Sequence, residues 1–350
     1  MVYPNPSTSR NGRRGGKRML KKFLPGTVLF LLIPLISHAQ DYAFFKGKVI
    51  SYIVATKPGG GYDAYARLIG KYMQKYIPGS TVIVKNIPGA GHIIGANETY
   101  LAKPDGLTIG TFNTGLIYSQ ILKQPGIKFD LTRYSWIGKA SSDLRVLIVG
   151  SKTPYKTIKD LIASKEPVKF AASGVGSSAY NETIMIAEAL GANIKVIPGY
   201  SGREGEMAIL RGEVAGTNGA YTGLVSFIKT GEARVLLQIG AKKHKDLPHV
   251  PLASELKVSP KGAALFKLIE AINELGRLTG APPNVVPNRL AVLREAYKKA
   301  LNDPGFLKEA QMMALDLDPA FGEDVAKMMK EAVNQPPENV NLLRSLIKFE

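Results

Sequence analysis

Cysteine is absent from all 350 residues. That excludes disulfides, thiolate metal sites, iron–sulfur clusters, a cysteine nucleophile and a lipid-modified cysteine anchor. Histidine is nearly as scarce, with four copies. Two of them, His244 and His249, sit among lysines in AKKHKDLPHVP, which reads as a solvated turn and not as a metal site. No H-E-x-x-H, G-x-S-x-G or other ligand spacing is present, so neither a metal centre nor a cofactor is expected. Long apolar runs are missing too. The run from Thr27 to Ile36 has the length of a secretory h-region and falls short of a membrane span. Acidic residues are lacking before Asp41, whereas seven basic ones (Arg10, Arg13, Arg14, Lys17, Arg18, Lys21, Lys22) precede the apolar run. Ser37-His38-Ala39 then supplies a small-x-small cleavage pattern. Residues 1–39 therefore read as a signal peptide cut after Ala39, with Met19 as an alternative start because residues 1–18 are polar.

The formal charge of +18 falls to +11 (18 − 7) once those residues are removed. The surplus is dispersed and forms no basic stripe, so nucleic acid is not an expected partner; steering of small anions fits it better. With 45% hydrophobic and 21% charged residues the chain is globular and long enough for two lobes.

What is present is a repeated grammar of strand, glycine-rich turn and helix. Strands are expected at Val49–Thr56, Thr81–Asn86 and Leu107–Phe112, with helices at Ala64–Tyr76 and Ile93–Ala102 between them. A second set follows, with strands at Arg145–Val149, Val168–Ala172, Ile194–Ile197, Val214–Asn218 and Arg234–Ile239. Helices at Thr157–Ser164, Asn181–Leu190 and Tyr221–Lys229, and one ending near Arg211-Gly212, separate them. The remainder, from Lys261, reads as helical. The alternation implies parallel β-α units in two similar lobes: residues 41–142 plus 275–350, and residues 143–274.

Ligands of open α/β sheets bind beyond the carboxyl ends of the strands, where helix N-termini present free N–H groups to carboxylate or phosphate. Five loops at those ends carry the candidate ligand-binding residues. They are Gly59, Gly60, Gly61, Tyr62 and Asp63; Thr111, Asn113 and Thr114; Ser173, Gly174, Gly176, Ser177 and Ser178; Tyr200 and Gly202; Gly219 and Tyr221. Asp63 suits a helix cap equally well, and the two later tyrosines suit packing equally well. KPGGGYD lacks the Gly-Lys-Ser/Thr of a phosphate-binding P-loop. Gly174 to Ala179 matches G-x-G-x-x-A, but the next strand ends in Pro198 with no acid for a ribose.

In order along the chain, KPGGGYDAYARL, VKNIPGAGHIIGA and AKPDGLTIG resemble the tripartite tricarboxylate transporter receptor (Bug) family, which typically shows PGGG-x-D, N-x-PGAGG-x-x-GA and PDG-Y-T. Ser173–Ser178, Pro198–Gly202, Leu210–Val214 and Leu247–Pro251 are similar to its later segments, in one register from Lys48 to Leu252. The resemblance implies a periplasmic-binding-protein-like, type II "Venus flytrap" with a ligand cleft between two Rossmann-like lobes. It implies a periplasmic, monomeric receptor that captures a small organic anion, mostly a carboxylate held by backbone N–H groups, for integral-membrane permease subunits. This sequence departs from the pattern at Lys57, Tyr62, Gly91-His92, Ala215 and Gly219. Tyr62 is expected to narrow the pocket, and Lys57 to add positive charge to it. A ligand-dependent partner of a membrane sensor is an alternative. An exported hydrolase is another, with Ser177 and His92 as its one nameable pairing.

Overall fold

The computed structural model describes residues 41–349. The expected signal peptide and its expected cleavage point lie outside them. Eleven strands form two mixed sheets among the described residues. They are β1 (Val49–Val54), β2 (Thr81–Asn86), β3 (Thr108–Phe112), β4 (Ser135–Lys139), β5 (Arg145–Gly150), β6 (Val168–Ala172), β7 (Ile194–Pro198), β8 (Gly216–Ala220), β9 (Ala233–Ile239), β10 (Leu278–Ala281) and β11 (Ala320–Phe321). The first sheet has the order β11-β4-β10-β3-β1-β2 and the second β7-β6-β8-β5-β9.

The expected parallel units are there: β1 lies parallel to β2 and β3, and β6 parallel to β7 and β8. The wholly parallel expectation needs correcting. β5 runs antiparallel to β8 and β9, and β10 antiparallel to β3 and β4. The tail is not wholly helical either, because β10 and β11 come from it. Both are short, and LTGA carries too little β-branched character to stand out.

The chain passes between the sheets twice, after β4 and again before β10. The two crossings lie side by side: Ala140 N donates to Arg277 O at 3.2 Å, and Asp143 N to Asn273 O at 2.8 Å. An ion pair joins them, Arg277 Nε to Asp143 Oδ1 at 3.1 Å, with both side chains buried. Lys139 Nζ reinforces the spot by donating to Ser142 Oγ, Glu274 O and Asp318 Oδ2.

Helix Gly61–Lys75 shows why the local sequence folds as it does. Tyr65, Leu68, Ile69, Tyr72 and Met73 recur at helical spacing and bury one face against the first sheet and helix Pro287–Leu301. Each such side chain contributes about 1.5–3 kcal/mol on burial. A further apolar cluster runs from Phe112, Leu116 and Trp136 of the first lobe to Leu147, Phe170 and Ile186 of the second. The lobes are thus fused behind the cleft and face each other across it.

Candidate functional site

Between the sheets lies a cavity of about 140 Å³. Thr56, Gly60–Tyr62, His92 and Asn113 wall it from the first lobe; Ala172, Ser173, Tyr200, Gly202 and Thr217–Ala220 wall it from the second. Every one of the five loops contributes at least one lining residue.

Two helix N-termini open onto it. Helix Gly61–Lys75 begins at Gly60 and helix Tyr221–Lys229 at Ala220, and neither has a side-chain cap. The first turn of a helix leaves N–H groups without intrahelical acceptors, together with a positive partial charge. The two turns pack closely: a Cβ on Gly61 would lie 3.1 Å from Gly223 Cα and 3.2 Å from both terminal nitrogens of Arg277. A side chain there would crowd both neighbours.

Two arginines also line the cavity, and sequence reasoning missed both. Arg145 opens β5, and its Nε donates to Glu182 Oε2 at 2.6 Å. Its terminal nitrogens have no protein acceptor among the described residues. Glu182 is fully buried and also accepts from Asn218 Nδ2 at 2.9 Å and Asn273 Nδ2 at 2.7 Å. Burial pushes the Glu182 carboxyl above its usual range, with Arg145 opposing. Arg277, on the second crossing, donates to Thr222 Oγ1 at 3.0 Å and stacks on the rings of Tyr62 and Tyr65 at 4.4 and 4.9 Å. Only their place in the fold brings these residues together, since in sequence they stand alone.

Four residues that line the cavity each hold a side-chain atom buried without a protein hydrogen-bond partner: Thr56 Oγ1, Tyr62 OH, Asn218 Oδ1 and Arg277 Nε, the last in its ion pair with Asp143. Buried polar atoms in folded proteins rarely lack partners. Burial, reinforced by the nearby Asp143 carboxylate, holds the Tyr62 phenol well above its ordinary pKa, so it stays protonated and can donate.

Of the candidate residues, Gly60, Gly61, Tyr62, Asn113, Ser173, Tyr200, Gly202 and Gly219 line the cavity. The others do not. Gly59 O accepts from Arg203 Nε at 2.9 Å. Asp63 accepts from Gly59 N, Arg67 and Asn86 within its own lobe. Thr111 is buried in β3, and Thr114 donates to Asn273 Oδ1 at 3.1 Å. Gly174 lies against Gly91 and Gly176 against Gln124. Ser177 caps helix Ser178–Leu190, while Ser178 donates through both its N–H and its hydroxyl to Asn113 Oδ1. Tyr221 reaches Asp246 at 3.2 Å and packs on His244.

Lys57 is also placed differently from expectation. Its ammonium pairs with Glu204 across the lobes at 2.7 Å, outside the cavity lining. The pairing of Ser177 with His92 does not form. His92 Nδ1 lies 2.8 Å from Ala55 O and must donate to it, leaving Nε2 to accept from Ser173 Oγ at 3.3 Å. Burial lowers its pKa to about 4, so the ring is neutral at ordinary pH.

The fold and sequence are shared with known proteins. The family model described as "Tripartite tricarboxylate transporter family receptor" matches residues 65–341. A UPF0065 protein in the tcbD-tcbE intergenic region of Pseudomonas sp. (strain P51) is 28% identical over 300 residues, which are 76% of this chain and 89% of that one. The periplasmic binding protein BugD has a similar structure, with a TM-score of 0.72 at 23% identity, covering 85% of this chain and 97% of that one. MatC from Rhodopseudomonas palustris with bound malate gives 0.71 at 20% identity, covering 85% and 99%. Two lobes around a shared cavity, and a family match over most of its length, lead to one conclusion: this chain belongs to the tripartite tricarboxylate transporter receptor family.

Proposed function

We propose that the protein is an exported, periplasmic receptor that closes on one small organic acid and presents it, as a single copy, to the permease subunits of a secondary transporter, without turning it over. The carboxylate sits at the uncapped N-terminus of helix Gly61–Lys75, within reach of the open fork of Arg145. The observation that carries this reading is the conjunction at one cavity of two uncapped helix N-termini and two buried guanidinium groups. An arginine fork matches a carboxylate in shape and charge, and the burial of both arginines strengthens each contact. The volume points to a compact guest, since a cavity of about 150 Å³ takes up a molecule the size of benzene. Malate in the related MatC is a guest of that kind.

The test is a thermal-shift screen of mono-, di- and tricarboxylic acids on the protein from Asp41 onward, followed by titration calorimetry on the hits. A ligand at 100 times its dissociation constant adds about 2.7 kcal/mol to stability. The proposal predicts at least one acid with that effect, and no chemical change in the recovered ligand. A complete acid panel without a shift, or a ligand recovered as a product, contradicts it.

A further inference from the structure

A second cavity adjoins the first. It has a volume of about 220 Å³ and is lined by Ala55, Lys57, Pro88 and Gly89 of the first lobe and by Gly199 and Ser201 of the second. His92 and Ser173 line both cavities. They are also the pair joined by the bond from Ser173 Oγ to His92 Nε2 at 3.3 Å. The two spaces therefore meet at this contact.

The His92 ring is fixed there at both nitrogens. Nδ1 donates to Ala55 O within its own lobe, and Nε2 faces Ser173 of the other lobe. Its backbone is tied down as well: His92 N donates to Gly89 O at 3.0 Å, and the neighbouring Gly91 is pressed against Val175 O. The ring is 4% exposed. A buried ring held in this way is a wall between the cavities. Because its bond to Ser173 crosses from lobe to lobe, the wall is complete only when the lobes are together.

The sizes of the two spaces give the wall a consequence. The first, at about 140 Å³, suits a compact guest. Without the imidazole the two would join and more than double the room. The backbone permits that change, since glycine readily adopts the φ of 84° at position 92.

Resting on the receptor reading above, we infer that His92 is a specificity-determining residue: its ring ends the ligand space on this side and limits the length of the acid on which the lobes close.

The experiment is calorimetric titration of wild type, His92→Gly and His92→Asn with two homologous series, succinate to suberate and butyrate to octanoate, with melting temperatures as a check of folding. Wild type is expected to bind short members of at least one series and to lose about 10-fold or more in affinity at the long end. His92→Gly should raise the ratio of long-chain to short-chain affinity about 10-fold or more. His92→Asn, which tolerates the same φ and fills part of the space, should raise it by less, and it decides the matter if the glycine variant does not fold. A ring that served stability alone would lower all affinities together and leave the ratio as it was. An unchanged ratio in the folded variants, a wild type that binds long and short members alike, or binding of neither series by wild type overturns the inference. The receptor reading survives each of these if another carboxylic acid binds, and falls with it if no acid does.

Discussion

The loops Gly59–Asp63 and Ser173–Ser178 look alike in composition and position, and the protein uses them differently. Each follows a parallel strand, is rich in small residues and opens a helix. At the first, the helix begins on Gly60 without a side-chain cap, and Gly60, Gly61 and Tyr62 face the cavity. At the second, Ser177 caps the helix, Tyr180 N donates to the Ser177 hydroxyl, and Ser178 N to Asn113 Oδ1. The second loop is also pressed against the first lobe: a Cβ on Gly91 would collide with Val175 O. One loop leaves its helix N-terminus uncapped at the cavity. The other spends its amides on the seam between the lobes. What separates them is hydrogen-bond accounting, not composition.

His92 stands between the two loops, and its titration gives the largest expected effect. Its folded pKa is near 4 against an ordinary 6.5, lowered by burial. The unfolded chain takes up the proton first as pH falls, so this contribution to stability is complete above pH 6.5 and is lost between there and about pH 4. The loss amounts to about 3 kcal/mol. Urea unfolding across that range checks it, and His92→Asn, which tolerates the residue's φ of 84°, should remove His92's share of the slope. Next is Gly61→Ala, whose new methyl meets Gly223 and Arg277. It should weaken ligand binding by about 10- to 100-fold, the result of perturbing both a helix N-terminus and a buried guanidinium, with a smaller change in melting temperature. Ser178→Ala is the converse. Removing a buried donor to Asn113 should cost about 1–2 kcal/mol of stability, with little change in affinity beyond that. Equal effects of Gly61→Ala and Ser178→Ala on affinity would erase the distinction between the loops. The smallest effect is expected from Lys57→Ala. Its pair with Glu204 is half-exposed on both sides, so the change should be at most about 1 kcal/mol, and should shrink further in high salt.

Much of this architecture is legible in the sequence because it is written in local signals. β2 and β6 occupy the spans their β-branched and apolar runs mark, Thr81–Asn86 and Val168–Ala172. Helix Gly61–Lys75 starts three residues before the expected Ala64, since glycines at its first turn hide the periodicity. The turns that reach the cavity are visible as glycine and hydroxyl clusters. Its charged floor is not. Arg145 reads as the first residue of an apolar strand, and Arg277 as one basic residue after a helix. Their partners Glu182, Asn218, Asn273 and Asp143 are scattered over 130 residues (Asp143 to Asn273) with no shared spacing. Such a network exists only once the two crossings lie side by side. The same holds for β10, which is too short to announce itself and is held in place by β3 and β4 on either side.

The most direct test of the account is a crystal structure of the protein from Asp41 onward with a bound acid found by the thermal-shift screen. The account predicts a carboxylate within hydrogen-bond distance of the amides at Gly61 and Tyr62 and of the terminal nitrogens of Arg145, enclosed by both lobes. An acid seated instead at the Ser177 end of helix Ser178–Leu190, or bound at a surface away from both arginines, contradicts it.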